Sequence, residues 1–523
     1  METDFDFIVI GSGFGGAVSA LRLAEKGYTV AVVEKGRRWT ALDFPKSSWN
    51  LPRYLWLPRI GFRGILGLKL MRHVFALHGV GFGGGSLVYG NTLIEPKASF
   101  FDSDPVALRL GGMGLLSYYR TVQQMLGVVP NPKLFPEDQL MKTVAQELGR
   151  AETFSPSPVA ICFSAEPSTD PYFGGEGPPR SPCQFCGGCF VGCRFGAKNT
   201  LDLNYLWLAE MRGVRMITEA EVLDVLSTGD PSGYEIRFRS RGRRKIRVLK
   251  ARNVVIAAGV LGTLSLLLRL KSEGKLPRLS DLLGRSVKTN GESIVGVYDG
   301  STRADRPDRS QGIAASSSVY PDAHTQVQAD RYPAGSDSLA TLATVLSQPR
   351  FPGEARWRAW LRAVIRNPGQ WFRLLNPIGF AKRAMVLIVM QDHDSGVRLR
   401  WAGRRLASEK DASLPLPPDY LPEANAFAKR LAAAMGPEAI PFASITESLV
   451  VIPVTAHVMG GCPMGDSRES GVVGFDHQIH GYPGLFVCDG SVITSNLGVN
   501  PALTIAAFTE RAMSLIPDKK NRA

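Results

Sequence analysis

Three groups of residues in this 523-residue chain have types and spacings that could do chemistry. Gly11-x-Gly13-x-x-Gly16, with Phe14 inside it, leads from an apolar run into helix formers, and Glu34 ends the next apolar run. Glycine permits the sharp turn at the first position, close approach to a pyrophosphate at the second and helix–strand packing at the third. A helix beginning there offers free N–H groups and the positive end of its dipole to phosphates, and Glu34 can accept hydrogen bonds from ribose hydroxyls. A second cluster, Gly79 to Gly85 followed by Ser86, makes a loop with little side-chain bulk, where a planar cofactor could lie against backbone. Cys183-x-x-Cys186-x-x-Cys189-x-x-x-Cys193 has ferredoxin-like spacing, with Arg194 where proline is usual and Cys162 as another source of a fourth ligand. Three readings stay open for it: an iron–sulfur cluster, zinc held by four thiolates, or a compact turn of reduced thiols.

The elements that must position these groups are legible in outline. Phe7 to Ile10 reads as a strand buried on both faces, Ala17 to Lys26 as a helix and Tyr28 to Val33 as a second strand, together a βαβ unit. Val254 to Ala258 with a helix over Leu261 to Leu270, and Leu485 to Cys488 ending at Asp489-Gly490, read as further pieces of the same sheet. They come from the start, middle and end of the chain, so that domain is discontinuous. The expected fold is α/β. A Rossmann-like dinucleotide domain (1–45, 75–100, 200–295 and 450–523) is interleaved with an α+β domain (46–74, 101–199 and 296–449) that includes the cysteine segment 183–193.

Composition narrows the functional classes. With 61 Lys+Arg against 47 Asp+Glu the formal charge is +14, yet no nucleic-acid motif accompanies it, so nucleic acid is not an expected partner. The acidic first residues do not form a secretory leader, no apolar run reaches about 18 residues, and the seven cysteines are crowded rather than spaced for disulfides. A cytoplasmic protein is the expectation. Arg356 to Arg366 places Trp357, Trp360, Leu361 and Val364 on one helical stripe among arginines. Such a stripe either packs into a core or lies on an anionic membrane surface.

Two further segments resemble a known family. Thr455-Ala456-His457-Val458-Met459-Gly460-Gly461-Cys462-Pro463 and Gly498-Val499-Asn500-Pro501-Ala502 are similar to the histidine loop and C-terminal flavin segment of glucose–methanol–choline oxidoreductases. The glycine loop ending in Gly84-Gly85-Ser86 resembles that family's flavin-contacting loop, and the bacterial cholesterol oxidase branch matches best in order and spacing. The resemblance implies FAD as the dinucleotide, with Gly84, Gly85, Ser86, Val222, Asp489, Gly490, Asn500 and Pro501 joining the N-terminal motif around it. It further implies that His457 is the base for a sterol or other hydrophobic alcohol, that Asn500 orients the same oxygen, and that hydride passes to the flavin. Either O2 or an electron carrier then reoxidises the cofactor. An imidazole suits that role because it exchanges protons near neutral pH. Aligned on Tyr332-Pro333-Ala334-Gly335, Gln328 falls where steroid-isomerising relatives place a carboxylate. An amide cannot shuttle a proton, and Asp330 shares its face of an extended strand.

Overall fold

Residues 3–229, 233–351 and 353–519 are described by a computed structural model. Uninterrupted β-branched and aromatic runs form the centre of a seven-stranded sheet. Phe5–Ile10 lies between Val30–Val33 and Arg247–Ile256, parallel to both, and Arg215–Ile217 extends the edge beyond Val30–Val33. The long strand Arg247–Ile256 serves two partners. Its first half pairs antiparallel with Tyr234–Ser240, and Val254–Ile256 pairs parallel with Leu485–Val487 from the far end of the chain. Ile8 and Val9 have no exposed surface.

The helix Phe14–Glu25 packs on this sheet because glycine lets it approach. A Cβ on Gly16 would stand 2.1 Å from the Gly11 carbonyl oxygen, and Gly11 itself takes a left-handed φ of +97°. The helix also lies against the C-terminal helix Ala502–Ser514, and Arg22 and Glu510 join the two through an ion pair of 2.7 Å.

A second seven-stranded sheet is antiparallel throughout. Its central strands are Ser293–Asp299, Ala384–Gln391 and Thr325–Asp330. One face carries Val295, Val327, Ala329 and Leu387 into a core shared with the helices Pro136–Glu147 and Pro422–Met435. The opposite face of Thr325–Asp330 presents Gln326, Gln328 and Asp330, polar and yet buried. Behind that sheet Glu137 pairs with both Arg309 (3.1 Å) and Arg331 (3.3 Å), all three nearly inaccessible.

The arginine-rich helix runs from Arg356 to Arg366. Trp360 and Val364 pack inward, with the Trp360 indole N–H donating to Thr344 Oγ1 at 2.8 Å. Trp357, Leu361 and Ile365 face outward, and Ile365 is 69% exposed. The expected stripe therefore splits, half into the core and half to solvent. Among the described residues no helix is long and apolar enough to cross a membrane.

Candidate active site

The two glycine loops meet. A Cβ on Gly84 would come within 2.6 Å of Gly13 Cα, whereas one on Gly13 would meet nothing within 4 Å. Gly13 is thus glycine beside open space and not for want of room in the packing. That space belongs to a cleft of about 1640 Å³, the open solvent at its mouth included. Gly13, Phe14, Gly85, Gly259, Asp489 and Pro501 line it at the dinucleotide end. Leu66, Leu77, Val88, Phe190, Ile294 and Ile388 give the rest an apolar wall. The helix start at Gly13–Phe14 faces this space, as an anionic pyrophosphate requires.

Other sequence-predicted positions act behind the lining. Glu34 accepts from Ser12 N (3.1 Å), Ser12 Oγ (2.8 Å) and Gly36 N (2.7 Å), so it braces the turn from outside the cavity. Ser86 likewise braces: its hydroxyl donates to Gly83 O and accepts from Leu201 N. Val222 lies in the strand Ala220–Ser227, also outside the lining, at a break in register. Asp489 and Gly490 do line the cavity. Burial pushes the Asp489 carboxyl up, and hydrogen bonds from Ser491 and Thr263 oppose that shift.

At the apolar end the structure joins residues from four distant segments. His457 Nε2 stands 3.3 Å from Asn500 Nδ2. His457 Nδ1 hydrogen-bonds to Glu292 Oε1, and Glu292 Oε2 accepts from the backbone N–H of Ala456 at 2.8 Å. Gln328 completes the group, its amide 3.5 Å from that of Asn500 and 3.3 Å from Thr92 Oγ1. Asn290, at a left-handed φ of 59°, holds the loop that bears Asn500. Its Oδ1 accepts from Gly498 N and its Nδ2 donates to Val499 O, both at 2.9 Å.

Asn290, Glu292 and His78 escaped the sequence reading. A lone acid after Asn290-Gly291 carries no mark of a partner elsewhere in the chain. His78 precedes the glycine loop and lines the cavity, and burial lowers its pKa to about 3, which keeps the ring neutral. His477 is fully buried, with Nδ1 at 3.0 Å from Val487 O. Burial lowers its pKa to about 4.

Among the described residues, the set of three or more candidate ligands whose atoms gather within 4.8 Å is His324, Asp392 and His393; Cys183, Cys186, Cys189 and Cys193 form no such set. Cys183, Cys189 and Cys193 pack against Val159, Ile161, Ala197 and Ile313. Burial raises the thiol pKa of Cys183 and Cys186, and pushes that of Cys189 up to about 11. The buried Lys198 ammonium donates to the carbonyls of Leu87, Tyr89 and Cys189, tying this segment to the glycine loop. The segment packs as a turn against these apolar side chains.

Family models described as GMC oxidoreductase match residues 179–275 and 422–509, and one described as FAD binding domain matches 6–54. A cholesterol oxidase of Acinetobacter baumannii is 41% identical, over 99% of this chain and 95% of its own. The chain belongs to the GMC oxidoreductase family. A Mycobacterium tuberculosis cholesterol oxidase is also 41% identical, over 99% of this chain and 92% of that one. A long-chain-alcohol oxidase of Arabidopsis thaliana is 24% identical over 98% and 67% of the two chains. Pyridoxine 4-oxidase from Mesorbium loti, 15% identical, superposes with a TM-score of 0.59 over 97% of this chain and 98% of that one, which shows the shared fold. This GMC protein is therefore an FAD-dependent alcohol oxidoreductase acting on CH–OH donors, with a Rossmann-like FAD-binding domain interleaved with an α+β domain.

Proposed function

We propose that the chain oxidises the secondary hydroxyl of a sterol or a similar hydrophobic alcohol to the ketone, with His457 as the base. The arrangement that carries this reading is His457 Nε2 set beside the Asn500 amide at the apolar end of the cavity. Full-length similarity to cholesterol oxidases supports a sterol-sized substrate.

The chemistry follows from the donors and acceptors present. Oxidation to a ketone removes two electrons and two protons from the alcohol. With Nδ1–H donated to Glu292, Nε2 presents a lone pair to the substrate hydroxyl and takes its proton. The Asn500 Nδ2–H can donate to the same oxygen, which orients the carbinol without adding charge. The apolar wall displaces water from the oxygen and strengthens both contacts. FAD, held by Gly13, Phe14, Gly85, Asp489, Gly490 and Pro501, supplies the acceptor for the carbinol hydrogen with its electron pair. Dioxygen, reduced to hydrogen peroxide, is the proposed final acceptor.

The outward row Trp357, Leu361 and Ile365, set among Arg350, Arg358, Arg362 and Arg366, supports peripheral contact with an anionic membrane, where such a substrate resides. Flotation with anionic vesicles at low salt checks this contact: the protein should rise with the lipid, and protein left wholly in solution refutes it.

Anaerobic addition of sterols and of straight-chain alcohols, followed by flavin absorbance, tests the function itself. Sterols should bleach the flavin fastest, and His457→Ala should slow bleaching by roughly two to four orders of magnitude. Unchanged bleaching in that variant removes the assigned role.

A further inference from the structure

We propose that Glu292 is the positioning residue of this site: it fixes the His457 tautomer and stabilises the imidazolium formed when the alcohol gives up its proton. The inference deepens the reading of His457 as base and rests on it.

Glu292 is 3% exposed, immediately before the strand Ser293–Asp299. Both its oxygens are committed to neighbouring residues of one loop, Oε1 to the His457 ring and Oε2 to the Ala456 N–H. An ionised carboxylate only accepts hydrogen bonds, so Nδ1 must carry the proton and Nε2 must be left as the acceptor. The tautomer needed for a base at the cavity is therefore set from behind. When Nε2 gains a proton, the ring's new positive charge lies against a buried negative one, the logic of the carboxylate in a Ser-His-Asp triad.

A second carboxyl shows what the first is for. Asp330, 2% exposed, faces the same region, yet neither of its oxygens has a hydrogen-bond partner among the described residues. Burial raises its pKa well above the usual carboxylate range; Arg331 opposes this and the charge of Glu292 adds to it. The two buried carboxyls thus differ in their surroundings, one engaged through both oxygens and the other without a partner among the described residues. The titratable groups lining the cavity with Glu292 and His457 are Tyr54, His78, Tyr89, Tyr332 and Asp489, with Asp330 and Arg331 beside them and Glu447 held on Ser293 and Ile294; Asn500 and Gln328 are neutral amides.

The Asn290–Glu292 segment also spans both halves of the site. Asn290 holds the Gly498–Val499 backbone while Glu292 holds Ala456 and His457. Three consecutive residues set the separation of imidazole and amide.

The test is anaerobic single-turnover flavin reduction by a sterol across a pH series. Holoenzymes carrying Glu292→Gln, Asp330→Asn, His457→Ala and the double change Glu292→Gln/His457→Ala are compared, with FAD content measured for each. Glu292→Gln should bind FAD normally and slow reduction by about a hundred- to ten-thousand-fold, the range for a histidine base that loses its orienting carboxylate. The acidic limb of its rate–pH profile should move to lower pH, because a neutral amide no longer favours the protonated ring. Asp330→Asn should stay within about twofold of the parent, and Glu292→Gln should add no more than about twofold once His457 is alanine. Parental rates in Glu292→Gln beside slow His457→Ala overturn the proposal and leave the base intact. Equal slowing by Glu292→Gln in both backgrounds overturns it as well, by showing a merely structural role. A His457→Ala enzyme as fast as the parent defeats the reading beneath it.

Discussion

The two sheets of this protein supply chemistry in different ways. Around the parallel sheet the working groups are backbone atoms: glycines at 13 and 85 line the cavity, and those at 11, 16 and 84 let the turn, the helix and the second loop close beside it. Around the antiparallel sheet the working groups are buried side chains, Glu292 and Gln328, with ion pairs behind them at Glu137, Arg309 and Arg331. The first region is vulnerable to added volume and the second to lost partners. That contrast follows from what each must bind: a charged pyrophosphate is met by amide dipoles, and an alcohol proton by an oriented base.

The contrast can be broken most readily where its energy is largest. Glu137→Ala leaves the Arg309 and Arg331 guanidiniums with an unbalanced buried charge, and should cost about 3–5 kcal/mol by urea unfolding. A loss below about 1 kcal/mol would mean that Asp299 and Asp138, at 3.0 and 3.6 Å from the two arginines, carry the network alone. Gly16→Ala comes next. Its Cβ must push against the Gly11 carbonyl, and about 1–3 kcal/mol of stability should go together with some of the bound FAD.

Gly13→Ala sharpens the comparison because it separates the two effects. Gly13 has a φ of −71°, which alanine adopts freely, and its Cβ would enter open space. Apoprotein stability should change by no more than about 0.5 kcal/mol. FAD affinity should fall by about tenfold or more, equivalent to about 1.4 kcal/mol, when followed by titration of flavin fluorescence. An apoprotein destabilised as much as Gly16→Ala would show that Gly13 serves packing instead. The smallest effect is expected at Cys186→Ser: a half-buried thiol in a packed turn should give way with about 1 kcal/mol or less and an unchanged visible spectrum. Loss of an absorbance band or of bound iron would restore the metal reading.

Much of the parallel region was legible because its signals are local. The strand Phe5–Ile10, the turn at Gly11–Gly16 and the next strand at Val30–Val33 lie within a few residues of one another, and each glycine has a steric reason visible in the spacing. His457 and Asn500 were reached through resemblance of short segments to a family. The cysteine spacing left three readings open because spacing along the chain does not say where sulfur atoms point; apolar packing around Ile161 and Ile313 sets that.

By itself the sequence determined the glycine-rich turn and the discontinuous sheet, while His457 and Asn500 were singled out by the resemblance of short segments to a family. Those are properties of residue type and short spacing, which sterics and hydrogen-bonding capacity already constrain. Only the tertiary structure decided that Glu292 backs His457, that Asn290 holds the Asn500 loop, and that Asp330 is left without a partner. Those pairings join strands and loops far apart in the chain, and a carboxyl's state depends on which dipoles and charges the fold packs against it.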